Sequence, residues 1–409
     1  MNLPEELLAS LDGLPGFDRQ AFEAVHREGP AVTSIRLNPG KMAGLEKMGG
    51  AAGAEAVPWS SFGFYLPQRP SFTFDPVFHA GAYYVQEASG MFLEQALRQT
   101  VDLSAPLRVL DLCAAPGGKS TLLQSLLSAD SLLVSNEVIR NRVPILEENM
   151  VKWGSLNSVV TSCDPADLGR MTNYFDVIVV DAPCSGSGLF RRDPSAAREW
   201  SRDNLHLCHQ RQQRILADGW PSLKKDGVLI YSTCSYSREE NEDILDWTAT
   251  ALGATGLPLD VPEEWKVVET TGREGSYGYR FYPDRLRGEG LFLGCLRKNG
   301  GGNPAGYVKK HPMEQLGRKE KELLSGWIRR DLDLACFYQG PLIHGMPAAS
   351  LPALSILAQY AYIRKAGVAL GKLSSKELIP AHDLAVSMAA GHVPALPLSR
   401  EEALRYLRK

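Results

Sequence analysis

Short apolar runs recur through the middle of the chain, at residues 107–112, 131–136, 158–163, 175–180 and 228–233, with segments of helical spacing between them. Runs of this length suit buried strands, and strands alternating with helices predict an α/β fold with a mostly parallel, doubly wound sheet. Ahead of this region the pattern is less regular. The first thirty residues have helical spacing, residues 34–37 (SIRL) read as a short strand before the turn Asn38-Pro39-Gly40, and a poorly patterned Gly and Ala stretch follows. The aromatic-rich segments VPWSSFGFYL and SFTFDPVF are further strand candidates, so a small α+β domain is expected over residues 1–80.

Helical spacing over residues 82–97 leads into the central domain, residues 81–300, which segments 265–269 and 291–297 are expected to close as a strand pair around a Gly- and Tyr-rich loop. Residues 299–306 (NGGGNPAG) have the composition of a linker. In the last region, residues 301–409, Lys309 and Lys310 precede three expected helices: an alternating-charge one at 318–330, an apolar one at 354–363 and one from Ser399. That region is expected to be mostly helical, and the chain has no internal repeat.

Composition changes this picture in three places. With 409 residues, 44% hydrophobic and 22% charged, the chain has ample material for two or three packed domains. The net charge of -3 is uneven, because residues 304–409 hold 15 Lys and Arg against 9 Asp and Glu. A basic appendage on an acidic body fits local nucleic-acid contacts, and it equally fits a solvated helical face. The seven cysteines are odd in number, scattered and never in a CxxC pair, which argues against a disulfide framework and a structural zinc site. No apolar run approaches the roughly 20 residues of a membrane span, and the acidic, amphipathic start is unlike a signal peptide. A cytoplasmic protein is expected.

The chemistry gathers after the apolar runs. Residues 108–127 (RVLDLCAAPGGKSTLLQSLL) have the grammar of a strand, a tight turn and a helix, which directs backbone N–H groups and a helix dipole at one point. Glu137, Asp164, Asp181 and Cys234 stand just after the later runs, and in a parallel sheet all of them share one edge. Glu137 has the position of an acid that accepts hydrogen bonds from a ribose diol. Asp181 opens Asp181-Ala182-Pro183-Cys184, followed by Ser185, Gly186, Ser187 and Gly188. Cys234 ends a run and precedes Ser237-Arg238-Glu239-Glu240, the pattern of a helix capping box. Singly, each of these residues reads equally as a turn residue, a helix cap or a buried thiol.

LDLCAAPGGKS, DAPCSGSG and YSTCSYSREENE, in this order and spacing, closely resemble the NOL1/NOP2/Sun family of RNA cytosine-C5 methyltransferases. SIRLNPGK and the C-terminal arrangement look most like its bacterial RsmF-type branch. The resemblance implies a Rossmann-like class I methyltransferase domain using S-adenosyl-L-methionine and no metal. It also implies 16S ribosomal RNA or the 30S particle as partner; no membrane is expected, and the oligomeric state is left open with a monomer favoured. Cofactor binding is implied for Cys113, Ala114, Ala115, Pro116, Gly117, Gly118, Lys119, Glu137, Asp164 and Asp181, with Arg142 as a further contact. Cys234 is implied as the nucleophile that adds to C6 of cytosine, and Cys184 as the group that assists release. Asp181 is expected to donate a hydrogen bond to the base if burial keeps it protonated. Arg191, Arg192, Arg198 and Arg202 are candidates for phosphate contacts, and Cys113 reads as a cradle residue.

Two departures stand out. Asp284 and Arg285 follow Pro283 where the family often has histidine, and residues 301–409 are expected to lack a complete PUA-like RNA-binding module. Two rival readings fit the residues less well. An amino-methyltransferase would need an aromatic platform that Asp181-Ala182-Pro183-Cys184 lacks, and a ribosome-assembly factor without turnover would leave the cysteine pair idle.

Overall fold

The computed structural model describes residues 3–41, 52–301, 313–374, 377–391 and 395–408. Helices α1 (Glu5–Leu11) and α2 (Arg19–Glu28) open the chain, and Asp18 caps α2 by accepting from the Ala21 N–H. Their apolar faces bury Leu7, Leu11 and Phe22 against Phe190, Trp200, Tyr236 and Tyr282 of the central domain. Strands β1 (Thr33–Leu37), β2 (Glu55–Ala56), β3 (Gly63–Leu66) and β4 (Tyr83–Val85) form a small antiparallel sheet in the order β2-β3-β1-β4. The Gly and Ala stretch before β2 lies mostly outside the described residues.

Two local expectations change here. SFTFDPVF forms a 3-10 turn (Phe72–Phe74) and the short helix α3 (Pro76–His79), because Asp75 caps the Val77 N–H and Pro76 occupies the first turn. The helical spacing over 82–97 resolves into β4, a 3-10 turn (Ser89–Phe92) and helix α4 (Leu93–Thr100), since aromatic Tyr83 and Tyr84 pair with β1 instead of continuing a helix.

The central region alternates as expected: β5 (Arg108–Asp111), α5 (Gly118–Leu126), β6 (Leu132–Asn136), α6 (Val143–Trp153), β7 (Ser158–Thr161), α7 (Pro165–Gly169) and β8 (Phe175–Asp181). Helices α8 (Ala196–Glu199) and α9 (Arg202–Gly219) lead to β9 (Leu223–Thr233) and α10 (Glu242–Leu252). Strands β10 (Ala254–Leu257), β11 (Val268–Thr271), β12 (Tyr277–Phe281) and β13 (Leu291–Lys298) complete it. Strands β9, β8, β5, β6 and β7 lie parallel and adjacent in that order, and their near-continuous burial reflects apolar clusters on both faces.

The closing strands differ from expectation. The Gly- and Tyr-rich loop is itself strand β12, which sits between β11 and β13, so segments 265–269 and 291–297 do not pair directly. The glycine makes room: a Cβ on Gly278 would lie 2.6 Å from the Phe292 ring.

Beyond Gly301, the rest of the linker with Lys309 and Lys310 lies outside the described residues. Helix α11 (Arg318–Leu324) is followed by β14 (Leu334–Gln339), β15 (Leu342–Pro347), α12 (Leu351–Leu357), β16 (Ile363–Ala366), β17 (Val368–Leu373), β18 (Leu378–Pro380), α13 (His382–Val386) and α14 (Arg400–Leu407). The region is not mostly helical as expected: the helices are short, the apolar one spans only Leu351–Leu357, and four of the five strands form an antiparallel sheet in the order β14-β15-β17-β18. Gly340, at φ 61°, turns the β14–β15 hairpin, and short apolar runs around it have no period that separates strand from buried helix. Strand β16 leaves this small sheet and pairs antiparallel with β7, joining the C-terminal region to the central sheet. Among the described residues, no helix is long and apolar enough to cross a membrane.

Candidate active site

The parallel strands run outward from β5 in two directions, to β6 and β7 on one side and to β8 and β9 on the other. The carboxyl ends of β5 and β8 therefore flank a topological switch point, where α/β sheets open a crevice. A cleft of about 750 Å³ lies there, lined by Cys113, Ala115, Glu137, Arg142, Asp181, Cys184 and Cys234 among the expected residues.

One half of the cleft is the turn after β5. Gly117, at φ 112°, caps α5 in a conformation that favours glycine. The turn is pinned from below: Ala114 N–H donates to Asn136 O (2.8 Å), Asn149 Nδ2 to Pro116 O (2.8 Å), and Arg142 Nη2 to Ala115 O. Ala114, Pro116, Gly117 and Gly118 thus shape the turn without lining the cleft. Asp111 is fully buried beneath it and accepts from Ser120 Oγ at 2.6 Å, while its Oδ1 has no hydrogen-bond partner. Burial pushes the Asp111 carboxyl up to about 7, against the Ser120 hydrogen bond. Burial likewise pushes the Cys113 thiol up, so this cysteine is held neutral and is a poor nucleophile.

Glu137, 3% exposed, accepts the Ile139 N–H through Oε1 (2.8 Å) and stands 3.5 Å from Arg142 through Oε2. Asp164 does not line the cleft; it caps α7 through Ala166 N–H (3.1 Å) and pairs with the cleft residue Arg214 at 3.0 Å. Val138, Ile139 and Pro165 supply an apolar wall that sequence reasoning missed. Its signal is visible afterwards: Val138 and Ile139 are 49% and 47% exposed, an uncovered apolar pair directly after a strand-end acid.

The other half is assembled from three loops. Asp181 pairs with Lys119 Nζ at 2.8 Å and accepts from Ser232 Oγ at 3.0 Å. Burial works against the Lys119 ammonium, but Asp181 outweighs it and raises the lysine further. The Asp181 side chain is 39% exposed, with its carboxylate taken up by Lys119. The Cys184 and Cys234 sulfurs are 3.1 Å apart. Its hydrogen bond to Cys234, then burial, holds the Cys184 thiol well above the ordinary thiol range.

The two cysteine loops are locked by Glu240, which is fully buried. It accepts from Ser185 N–H (2.8 Å), Ser185 Oγ (2.6 Å) and Gln212 Nε2 (3.1 Å). The expected capping box therefore does not form. Ser237 makes no side-chain cap, residues 238–240 are a 3-10 turn, and α10 begins only at Glu242. Gly188 N–H reaches Cys234 O at 2.7 Å, and a Cβ there would lie 2.6 Å from that oxygen, so the loops meet only through glycine.

None of the four expected phosphate-binding arginines lines the cleft. Arg191 donates to Gly288 O (2.6 Å) and Pro30 O (2.7 Å), while Arg192 and Arg202 stand 3.7 Å from Glu289 and Glu239. The cleft is instead faced by Leu207, Gln210, Arg211 and Arg214 of α9. Asp284 and Arg285 lie outside it, with Arg285 reaching Gly16 O at 3.4 Å. Among the described residues there is no cluster of potential metal ligands.

A glycine turn after the first parallel strand, an acid after the second and a reactive cleft at the switch point define a Rossmann-like methyltransferase domain. Two family models agree: 16S rRNA methyltransferase RsmB/F matches residues 99–297, and the N-terminal domain of 16S rRNA methyltransferase RsmF matches residues 3–88. The ribosomal RNA small subunit methyltransferase F of Aliivibrio fischeri strain ES114 is 32% identical over 351 residues, covering 81% of this chain and 72% of the relative. That of Pectobacterium atrosepticum is 32% identical over 287 residues, 68% of this chain and only 58% of the relative's length. The chain belongs to the RsmB/F family of 16S rRNA methyltransferases and carries the N-terminal domain of its RsmF members.

Solved structures show the same fold. A methyltransferase homolog protein from Pyrococcus horikoshii is 29% identical with a TM-score of 0.57, over 72% of this chain and all of that one. NSun6 from the same organism, solved with SFG, is 20% identical with a TM-score of 0.59, over 73% of this chain and 98% of that one.

Proposed function

We propose that this protein transfers a methyl group from S-adenosyl-L-methionine to C5 of a cytosine in small-subunit ribosomal RNA, through a covalent bond between Cys234 and C6 of the base. The observation that carries this reading is the thiol pair, 3.1 Å apart, beside the Lys119–Asp181 ion pair and in one cleft with Glu137. The names of the relatives support ribosomal RNA as the substrate.

The residues fit the cofactor. Glu137 keeps acceptor capacity facing the cleft for a ribose diol, Val138, Ile139 and Pro165 suit an adenine face, and the pinned turn before α5 suits the amino-acid end. When bound, S-adenosylmethionine supplies the electrophilic methyl group.

The chain's own groups do the rest. The contact puts one thiol within hydrogen-bond reach of the other, and in this reading Cys234, having lost its proton to solvent, is the sulfur that attacks while Cys184 donates to it. Attack on C6 sends the electron pair of the C5–C6 bond to C5, which then acts as the nucleophile toward the methyl group. Charge also develops on N3 and O2, and Lys119, held charged by Asp181, is the hydrogen-bond donor for it. Asp181 thereby becomes the group that orients Lys119, in place of the protonated donor expected from sequence.

Once Cys234 is bound to C6, its sulfur is engaged by the base and no longer partners the Cys184 thiol. Cys184 can then release its proton to solvent water and, directly or through water, accept the one from C5. The electrons of the C5–H bond re-form the C5–C6 double bond as the sulfur–C6 bond breaks, returning Cys234 as thiolate.

The test is a methylation assay on unmodified small-subunit ribosomal RNA and 30S particles, with labelled methyl donor and nucleoside analysis of the product. Label in 5-methylcytidine is expected; label only in an N-methylated or ribose-methylated nucleoside would overturn the reading.

A further inference from the structure

Helix α9 presents a face to the cleft that neither the cofactor residues nor the thiol pair accounts for. Leu207, Gln210, Arg211 and Arg214 follow one another at helical spacing and all line the cleft, while Leu205, Cys208, Gln212 and Leu216 on the other side are buried. Leu207 is 57% exposed, an apolar side chain left uncovered within a polar rim. The face is held rigidly beside the chemistry, because Gln212 Nε2 donates to Pro183 O (3.0 Å), one residue before Cys184.

The two arginines differ. Arg214 is taken up by Asp164 at 3.0 Å and Asp218 at 3.6 Å, whereas Arg211 has no carboxylate within ion-pair distance among the described residues. With Arg191, Arg192 and Arg202 committed elsewhere, Arg211 is the free guanidinium that this cleft offers to a polyanion.

We propose that Leu207, Gln210 and Arg211 bind the RNA nucleotide adjacent to the methylated cytosine, with Arg211 on its phosphate and the Leu207 side chain against its base. This rests on the function proposed above and extends it to the recognition of a flanking nucleotide. An apolar side chain next to a planar guanidinium is a surface on which any base can stack, and Gln210 can read a base edge. Holding a neighbouring nucleotide also keeps the target base splayed from its stack, as a reaction at C5 and C6 requires.

The test uses full-length Arg211→Ala, Arg211→Lys and Leu207→Ser, each checked for parental thermal unfolding. S-adenosylmethionine affinity is measured by calorimetry, and the rate is measured against small-subunit ribosomal RNA. Arg211→Ala is expected to raise KM for RNA about tenfold, and to lower the salt slope of RNA binding by about one. The lysine variant should recover the salt slope, and Leu207→Ser should raise KM severalfold with the slope unchanged; cofactor affinity stays parental in all three. RNA KM and salt slope unchanged in Arg211→Ala would overturn the proposal, and so would an equal loss of cofactor affinity, which would give the face to the cofactor. Formation of 5-methylcytidine by the parental protein, measured first, reads the underlying function separately.

Discussion

The two acids of the cofactor half are each capped within their own turn, whereas the acceptor half has only contacts that span the chain. Asp164 also reaches Arg214, and the glycine turn is pinned from Asn136, Arg142 and Asn149. Glu137 and Asp164 each take an N–H two residues further on, from Ile139 and Ala166. On the acceptor side, Cys184 meets Cys234 50 residues later, Ser185 meets Glu240 55 residues later, and Lys119 meets Asp181 from the neighbouring strand end. A group held by its own turn keeps its place when the rest of the site is disturbed. A group held across strands has its place only while the register of β5, β8 and β9 is intact. Substitutions in the first half should therefore read as binding defects, and substitutions in the second as losses of turnover.

Lys119→Met is the strongest of these contrasts. It removes the donor for the charge developing on the base, and kcat is expected to fall on the order of 100- to 1000-fold, with little change in the KM for S-adenosylmethionine. Single-turnover kinetics would show this directly. A variant whose kcat is parental but whose cofactor KM is raised would move Lys119 from the acceptor half to the cofactor half.

Glu137→Ala should do the opposite. Losing a buried carboxylate that faces the ribose diol is expected to weaken cofactor affinity about 10- to 100-fold, while kcat at saturating cofactor stays within a few fold of the parent. Calorimetric titration beside steady-state rates separates the two quantities.

These distances also explain what could be read before the fold was known. Strand ends followed by Glu137, Asp181 and Cys234 were legible because apolar runs and the polar residue after them are local features. Glu240 was misread as half of a capping box because its partner, Ser185, is far away in sequence and reachable only once β8 and β9 are parallel neighbours. A donor role for Asp181 depended on its burial, which strand position alone does not decide, and its carboxylate emerges into the cleft to meet Lys119. The arginines after the DAPC loop were chosen for nearness in sequence, whereas the cleft is faced by Arg211 and Arg214, brought round by the packing of α9. In the C-terminal region, 334–339 and 342–347 were too short and too evenly apolar to separate from helix, and pairing partners alone make them strands.

The smallest expected effect is one of stability. Asp111 lies under the cofactor turn with its carboxyl raised to about 7 by burial. At low pH it is protonated in both folded and unfolded chains. As pH rises toward 7 the unfolded chain ionises first, so this group removes stability from the fold progressively across the interval from its ordinary carboxylate range up to about 7. Asp111→Asn should flatten that part of the profile, so that its Tm relative to the parent rises from about pH 4 to pH 7 by a few degrees at most. A constant difference in Tm over that range would contradict the assigned burial effect.

The central claim is that the two sulfurs divide the work, Cys234 bonding to the base and Cys184 releasing it. Its most direct measurement is intact-mass analysis of Cys184→Ala after incubation with small-subunit ribosomal RNA and S-adenosylmethionine under denaturing work-up. The account predicts a covalent protein–RNA species that maps to Cys234 and disappears in the Cys184→Ala/Cys234→Ala double variant. Absence of any adduct while Cys234→Ala still forms 5-methylcytidine at the parental rate would contradict it.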